Sequence, residues 1–481
     1  MDFVIKFASE HESFRLPEIE ALAVLEGVNL KVKEYSSESP FCVVQLPSVE
    51  DAKKLLRRSV MAHSIHELWG TGATLEALHE AIKSQTPHLW PQYKETSFKF
   101  VVDSYQGAHS NEERLALINS FSYLPFDGPI RMSKPDNTFT VFELWPFNSV
   151  PLKIEHPDSI RLGRFVATSA RDIIHKYDLK KRKYISTTSM DAELSLVTAN
   201  IAHAAPGKLF YDPFVGTGSF PIACAHFGAI GWGSDIDGRS MRGEGNKKKN
   251  LPSNFAQYGL KPQLGGFFSA DLTNTPIRRR RIWDGVVCDP PYGVREGLKV
   301  LGLKNPENAT WLIELGVNEW QSPDYVPPKK PYSFLTMLDD ILAFASDTLV
   351  DNGRLSFWMP TANDEEQEIP VPAHPCLEVV VVCVQVFNKC MYLHYTHHAL
   401  SINWPPPFFS AIRWDLIRLT TSTGSRRLIT YRRLPDSQVS KSDLEAHEKQ
   451  RAEAAAANTG TTADDLNPFR RGYFRKFEAE S

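Results

Sequence analysis

This chain of 481 residues lacks most of the features that would send it to a membrane, an oxidising compartment or a polyanion by composition alone. Its six cysteines, Cys42, Cys224, Cys288, Cys376, Cys383 and Cys390, form no C-x-x-C pair. Neither a metal site nor a disulfide framework is therefore expected, and reduced thiols in an intracellular protein are. The longest apolar run, Leu377 to Phe387, is too short and too β-branched to cross a bilayer, which takes about 20 residues. Met1 to Lys6 shows no basic segment leading into an apolar one, so no secretory signal is expected. Net charge is only -3, so any grip on nucleic acid must come from local basic surfaces. A soluble cytoplasmic protein without a membrane partner is the expectation.

What is present is ample material for buried cores, with 42% hydrophobic and 23% charged residues. At about 100–200 residues per domain this length suggests two to four domains. The pattern predicts a strand over 3–8, a helix over 16–27 with Pro17 in its first turn, a strand over 41–46, a helix over 49–60 and a strand over 63–69. This reads as a β-α-β-β-α-β split unit ending at Gly70-Thr71-Gly72, a ferredoxin-like domain over 1–72. Residues 73–185 read as a second α+β domain, with helices over 74–84 and 110–121 and strands over 97–103, 138–146 and 163–167. From 186 to 435 strands and helices alternate, which predicts a mostly parallel, doubly wound sheet. Its first helix opens near Thr188-Ser189-Met190-Asp191 in capping-box style, and a long helix over 333–350 ends at Asn352-Gly353. The tail, 436–481, is polar; a helix over 443–457 fits it, as does a solvated tail without order.

The chemistry lies in the third domain. Asp212-Pro213-Phe214-Val215-Gly216-Thr217-Gly218-Ser219 turns strand into helix, and the glycines let backbone approach a bound cofactor closely. A dinucleotide fold would carry G-x-G-x-x-G here. The leading Asp212 suits a cation instead, such as the amino group of S-adenosylmethionine. Asp235 ends the next strand, where a carboxylate can accept both ribose hydroxyls; Asp237 is its rival and fits a helix N-cap better. Asp271, followed by Leu272, stands where a carboxylate can accept from an adenine amino group.

Asp289-Pro290-Pro291-Tyr292 is the decisive segment. The lone pair of a ring-bound amine is delocalised, and methylating it requires drawing the nitrogen toward sp³ geometry. The Asp289 carboxylate and the Pro290 carbonyl can accept its two N–H bonds, and the prolines stiffen the turn and remove a competing donor. Tyr292 can stack on a flat base. Such a site reaches only an unpaired or flipped-out nucleotide. Lys180-Lys181-Arg182-Lys183, Lys247 to Lys249 and Arg278 to Arg281 are basic clusters that could hold its backbone. His203 and His226 fall on predicted helices and read as ordinary packing residues.

Together with Tyr177 to Ile185, Thr187 to Leu194 and Gly233-Ser234-Asp235-Ile236-Asp237, these motifs resemble the eukaryotic tRNA guanine-N2 methyltransferases that act on guanosine 10. The resemblance covers residues 1–388 and 425–435. It implies a ferredoxin-like domain, a THUMP tRNA-binding domain that takes the 3′ acceptor end, and a Rossmann-like methyltransferase domain. It further implies S-adenosyl-L-methionine as methyl donor and a small zinc-binding activator protein as heterodimer partner. Asp212, Phe214, Gly216, Thr217, Gly218, Asp235, Asp271 and Leu272 would then serve the cofactor. Asp289, Pro290, Pro291 and Tyr292 would serve the guanine N2, and Lys180 to Lys183 the RNA. Family members pass almost directly from a strand like 377–387 to one like Ser425 to Tyr431. Here Lys389 to Gly424 intervene, rich in aromatics and prolines, and they read as a retained intron. Two other readings compete: an adenine-N6 methyltransferase on nucleic acid, since the same tetrapeptide serves any ring amine, and a non-catalytic RNA-binding scaffold.

Overall fold

The computed structural model describes residues 1–243, 249–293, 298–302, 328–361, 369–386 and 425–457. The chain divides into two compact units, Met1–Ser269 with Ile282–Val287, and Ala270–Arg281 with Cys288–Ser481.

The first unit opens with strands β1 (Asp2–Phe7), β2 (Lys31–Tyr35), β3 (Phe41–Gln45), β4 (Ala62–Gly72), β5 (Phe98–Tyr105), β6 (Asn137–Leu144) and β7 (Ser159–Thr168). They form one sheet in the order β2-β3-β1-β4-β7-β6-β5. The first four strands, with helices Glu12–Glu26 and Val49–Leu56, make the split β-α-β unit. Strand periodicity explains the core. Phe3, Ile5 and Phe7 share one face and pack with Ile19, Leu22 and Leu55 of the helices, whereas Val4 turns to the other face with Phe41 and Phe142. Charged β2 escapes the pattern because its side chains are mostly exposed at the sheet edge.

Helix Glu12–Glu26 begins a turn earlier than predicted and carries Pro17 inside it. Buried Arg15 accounts for the extra turn. Its guanidinium donates to the carbonyls of Ala8 (2.7 Å), Ser9 (2.8 Å), Ser37 (3.1 Å) and Ser39 (3.3 Å), tying the helix start to the segment just before it and to a loop more than twenty residues on.

The sequence-drawn boundary at 72 falls on a shared strand. β4 pairs with β1 near its start and with β7 from Ser64 to Gly72, so residues 1–72 and 73–185 contribute to one continuous sheet. The second part has its own core, where Trp69, Phe139, Val141 and Leu162 meet Leu78, Ile82 and Leu117 from helices Leu75–Gln85 and Asn111–Asn119.

Beyond it the same unit holds β8 (Leu209–Asp212), β9 (Ile230–Asp235), β10 (Leu264–Ser269) and β11 (Trp283–Cys288), all parallel, in the order β10-β9-β8-β11. The chain winds outward from β8 to β10 and then returns to the other side of β8. That reversal is the switch point at which α/β sheets bind ligands. Helix Ala192–Ile201 is buried along its whole length, and its N-cap is Asp191 alone, accepting from the amides of Glu193 and Leu194. Ser189, within the expected opening, bonds the Thr217 hydroxyl at 2.7 Å. His203 lies past the helix end with φ 64. His226 closes helix Ser219–His226, and burial lowers its imidazole to about 4.

The helix Ala192–Ile201 meets the N-terminal split unit through a buried polar network. The fully buried Glu18 accepts from the Ser59 hydroxyl (2.6 Å), the Val60 and Met61 amides (3.0 Å each) and Asn200 Nδ2 (2.6 Å). Arg58 donates to Asn200 Oδ1 at 2.9 Å and to the Ala204 carbonyl at 2.7 Å, and lies 3.9 Å over the Phe227 ring.

The second unit contains the hairpin β12 (Lys299–Leu301) and β13 (Lys329–Pro331), helix Phe334–Thr348, strands β14 (Leu349–Pro360), β15 (Leu377–Val386) and β16 (Ser425–Arg433), and helix Lys441–Ala457. β16 lies between β14 and β15, antiparallel to both. The long helix stops at Thr348, short of Asn352-Gly353, because Leu349 already starts β14; Asn352 takes φ 63 within that strand. Helix Lys441–Ala457 forms in the tail, anchored by Arg451 to Asp340. The suspected insertion at 389–424 lies outside the described residues, as do Lys247 and Lys248. No helix among the described residues is long and apolar enough to cross a membrane.

Candidate active site

In the first unit, the turn after β8 carries the glycine loop. Asp212 is 1% exposed, and its Oδ1 accepts the Phe214 amide at 2.9 Å. Its carboxylate thus braces the loop from inside, where a direct contact with a cation had been expected. Gly216 adopts φ 47 and Gly218 φ 87, values that side-chain-bearing residues avoid. A Cβ at Gly216 would meet nothing within 4 Å, so open space lies beside that backbone, as a cradle for a bound group requires. Thr217 is buried and tied to Ser189, and its carbonyl accepts from Asn254 Nδ2 at 3.2 Å.

Asp235 locks this loop to the end of β9. Its Oδ2 accepts the Gly216 amide at 2.9 Å and its Oδ1 the Asp237 amide at 2.8 Å. Asp237 is the N-cap of helix Gly238–Arg242, accepting from the Arg239 amide. The structure therefore gives the two aspartates separate tasks.

In the basic run, Lys180, Lys181 and Lys183 are exposed, but Arg182 is buried and donates to Ser219 Oγ at 2.9 Å. It anchors the segment to the helix after the glycine loop and is not available to an RNA backbone, contrary to expectation.

In the second unit, Asp271 is 3% exposed. Its Oδ1 takes the Thr273 amide at 2.9 Å and its Oδ2 the Leu301 amide at 2.6 Å, so it fastens β12 to the turn that carries buried Leu272. Among the four arginines nearby, Arg279 pairs with Asp347 at 3.3 Å, and Arg281 pairs with Asp351 and Asp436. Ion pairs within the unit thus occupy two residues read as RNA contacts.

Asp289 follows β11 directly. Its Oδ1 accepts the Tyr292 hydroxyl, and its Oδ2 lies 3.5 Å from Arg426 Nη1. Pro290 is buried and Pro291 exposed. Tyr292 packs edge-on against Phe334, with centroids 6.2 Å apart. Burial raises the Asp289 carboxyl above the ordinary aspartate range, and the Arg426 charge and the Tyr292 hydroxyl oppose that rise. Burial and the adjacent carboxylate also push the Tyr292 phenol well up, so it stays protonated and donates. Arg426, Trp358 and Gln385 were not among the expected site residues. No local pattern marks them, because strand pairing brings them to Asp289 from distant parts of the chain.

Two family models match the chain, a Tmrp11 THUMP N-terminal domain over residues 1–171 and an RMKL-like methyltransferase domain over 180–301. The tRNA (guanine(10)-N(2))-methyltransferase of Saccharomyces cerevisiae is 43% identical over 393 residues, 80% of this chain and 90% of that protein. The chain belongs to this family. The Schizosaccharomyces pombe enzyme of the same name is 36% identical over 92% of this chain and 91% of its own length. The human protein, tRNA (guanine(10)-N(2))-methyltransferase TRMT11, is 36% identical over 80% and 85% respectively. As a member of the family, the chain is an S-adenosylmethionine-dependent enzyme that methylates N2 of guanosine 10 in tRNA.

Proposed function

We propose how the residues of this chain divide that reaction. Asp212, Phe214, Gly216, Thr217 and Gly218 shape the loop for the methionine end of the cofactor, with Asp212 as its internal brace. Asp235 takes the ribose hydroxyls, and Asp271 with Leu272 flanks the adenine. The open space at Gly216 supports this reading. The bound cofactor supplies a sulfonium methyl electrophilic enough that no strong base is needed beforehand. Asp289 Oδ2 and the Pro290 carbonyl accept the N–H bonds of guanine N2, and Asp289 receives the proton that N2 sheds. Tyr292 holds Asp289 Oδ1, and its ring is offered to the base. The single observation that carries the assignment is the partly buried Asp289 with one oxygen committed to Tyr292 and the other left beside a cation. The N-terminal sheet region binds the acceptor end, and exposed Lys180, Lys181 and Lys183 touch the backbone.

The activator belongs on β15. Val382, Val384 and Val386 stand on one face at 37%, 36% and 55% exposure, and Val379, paired with Tyr431 as Val382 is with Ile429, joins that face across a bulge at 44%. β15 ends its sheet, and no strand among the described residues pairs with its outer edge. An apolar ridge on an open edge is a liability unless a partner adds to it. Cys42, Cys224, Cys376 and Cys383 are buried thiols outside any disulfide, which suits work in the cytoplasm.

The test is transfer of a labelled methyl group to unmodified tRNA, with and without the small zinc-binding activator. Substituting Val382→Lys with Val384→Lys should abolish co-purification of the activator and leave tRNA binding unchanged. Full co-purification by that variant would remove β15 from the account.

A further inference from the structure

We propose that Arg426 is a positioning residue for methyl transfer, holding the Asp289 carboxylate charged and aimed at guanine N2. The inference rests on the assignment of Asp289 to the N2 proton. The geometry is specific. Arg426 sits on β16 between Pro360 of β14 and Gln385 of β15, in register with both. Its guanidinium lies 4.7 Å from the centroid of the Trp358 ring, and Trp358 is fully buried. Its Nε donates to Gln385 Oε1 at 2.7 Å. The ring and the amide thus fix the plane of the fork, as stacked and hydrogen-bonded guanidinium groups allow.

The 3.5 Å separation from Asp289 Oδ2 then has a function. A bidentate fork at about 2.8 Å would consume the lone pairs of both oxygens. Here Tyr292 takes Oδ1, while Oδ2 is stabilised by charge but keeps its capacity to accept. In the reaction N2 bonds the methyl carbon, the carbon–sulfur bond breaks with its pair left on sulfur, and the positive charge on N2 is discharged as its proton passes to Oδ2 and then to water. An aspartate already protonated could not take that proton. Side-chain exposures of 17% for Arg426 and 21% for Asp289 put the pair where desolvation is costly and a nearby charge is effective.

The charged and titratable groups facing Asp289 among the described residues are Tyr292 from its own turn and Arg426 from β16. The neighbouring Arg427 is committed to the Ile369 carbonyl.

The experiment is single-turnover methyl transfer to unmodified tRNA against pH, by the full chain co-expressed with the small activator. In the wild type the rate rises along an acid limb and then levels. Arg426→Gln should move that limb up by about one to two pH units, so the rate falls about ten- to a hundredfold on the acid limb and recovers at alkaline pH. Arg426→Lys keeps the charge and should leave the limb near its wild-type place. Gln385→Leu frees the guanidinium without removing it and should move the limb upward by less. An Arg426→Gln rate lowered equally at every pH, with an unmoved limb, shows a merely structural residue and overturns the proposal. A limb that persists unchanged in Asp289→Asn overturns the underlying assignment of Asp289 instead. A limb that vanishes in Asp289→Asn but stays put in both Arg426→Gln and Gln385→Leu overturns the role of Arg426 alone.

Discussion

In the cofactor loop, Asp212 and Asp237 each accept the amide two residues on, and Asp235 accepts the Asp237 amide and reaches across one strand to Gly216. At the proposed methyl-acceptor turn, Asp289 has a close neighbour in Tyr292, but its charge partner arrives from β16, braced by a tryptophan and a glutamine from the two strands beside it. The first region is built largely from turns that close on their own amides, with Ser189 and Asn254 bracing Thr217 from farther along the chain, and the second takes its charge partner from a neighbour in space. A cofactor whose positive charge and ribose never vary can be met by short, rigid turns. A carboxylate that must stay ionised in a buried site needs a charge that local sequence does not supply.

The comparison can be broken in order of expected effect. Asp289→Ala removes the proposed proton acceptor and should lower the single-turnover rate by about 10²–10⁴-fold. Glu18→Ala probes the other long-range polar network. It strands buried donors of Ser59, Val60, Met61 and Asn200 and should cost roughly 3 kcal/mol of stability, read from the denaturant midpoint. Burial raises the Glu18 carboxyl above its ordinary value. The folded chain therefore holds that proton more tightly than the unfolded chain, and this contribution to stability is lost as pH rises through the folded value; Glu18→Gln should remove that slope. Asp235→Ala tests the local side. Cofactor binding should weaken by at least about tenfold, while the rate at saturating cofactor stays within about threefold. A large fall in that rate with unchanged affinity would mean that the loop serves the chemical step and would blur the contrast.

The same contrast explains what the sequence disclosed. Phe3, Ile5 and Phe7 alternate, so β1 and its buried face were readable. β2 was missed because Lys31-Val32-Lys33-Glu34-Tyr35 is an exposed edge with no apolar rhythm. The early start of helix Glu12–Glu26 depends on Arg15 reaching carbonyls as far away as Ser39. Leu335 is 54% exposed although it is as apolar as its neighbours, and Phe334, Met337 and Ile341 form the buried face with Leu338 and Leu342. The glycine loop and the Asp-Pro-Pro-Tyr turn stand out in the sequence because each motif lies in consecutive residues. Buried Arg182 shows the converse, since its run of charge reads as a surface until Ser219 is placed beside it.

The most direct test is nucleoside analysis of unmodified tRNA after incubation with labelled cofactor and either the wild-type chain or Asp289→Ala, with cofactor and tRNA binding measured on the same preparations. The account predicts N2-methylguanosine at position 10 with the wild type, and none with Asp289→Ala although both ligands still bind. N2-methylguanosine formed by Asp289→Ala at the wild-type rate, or N6-methyladenosine as the wild-type product, would contradict it.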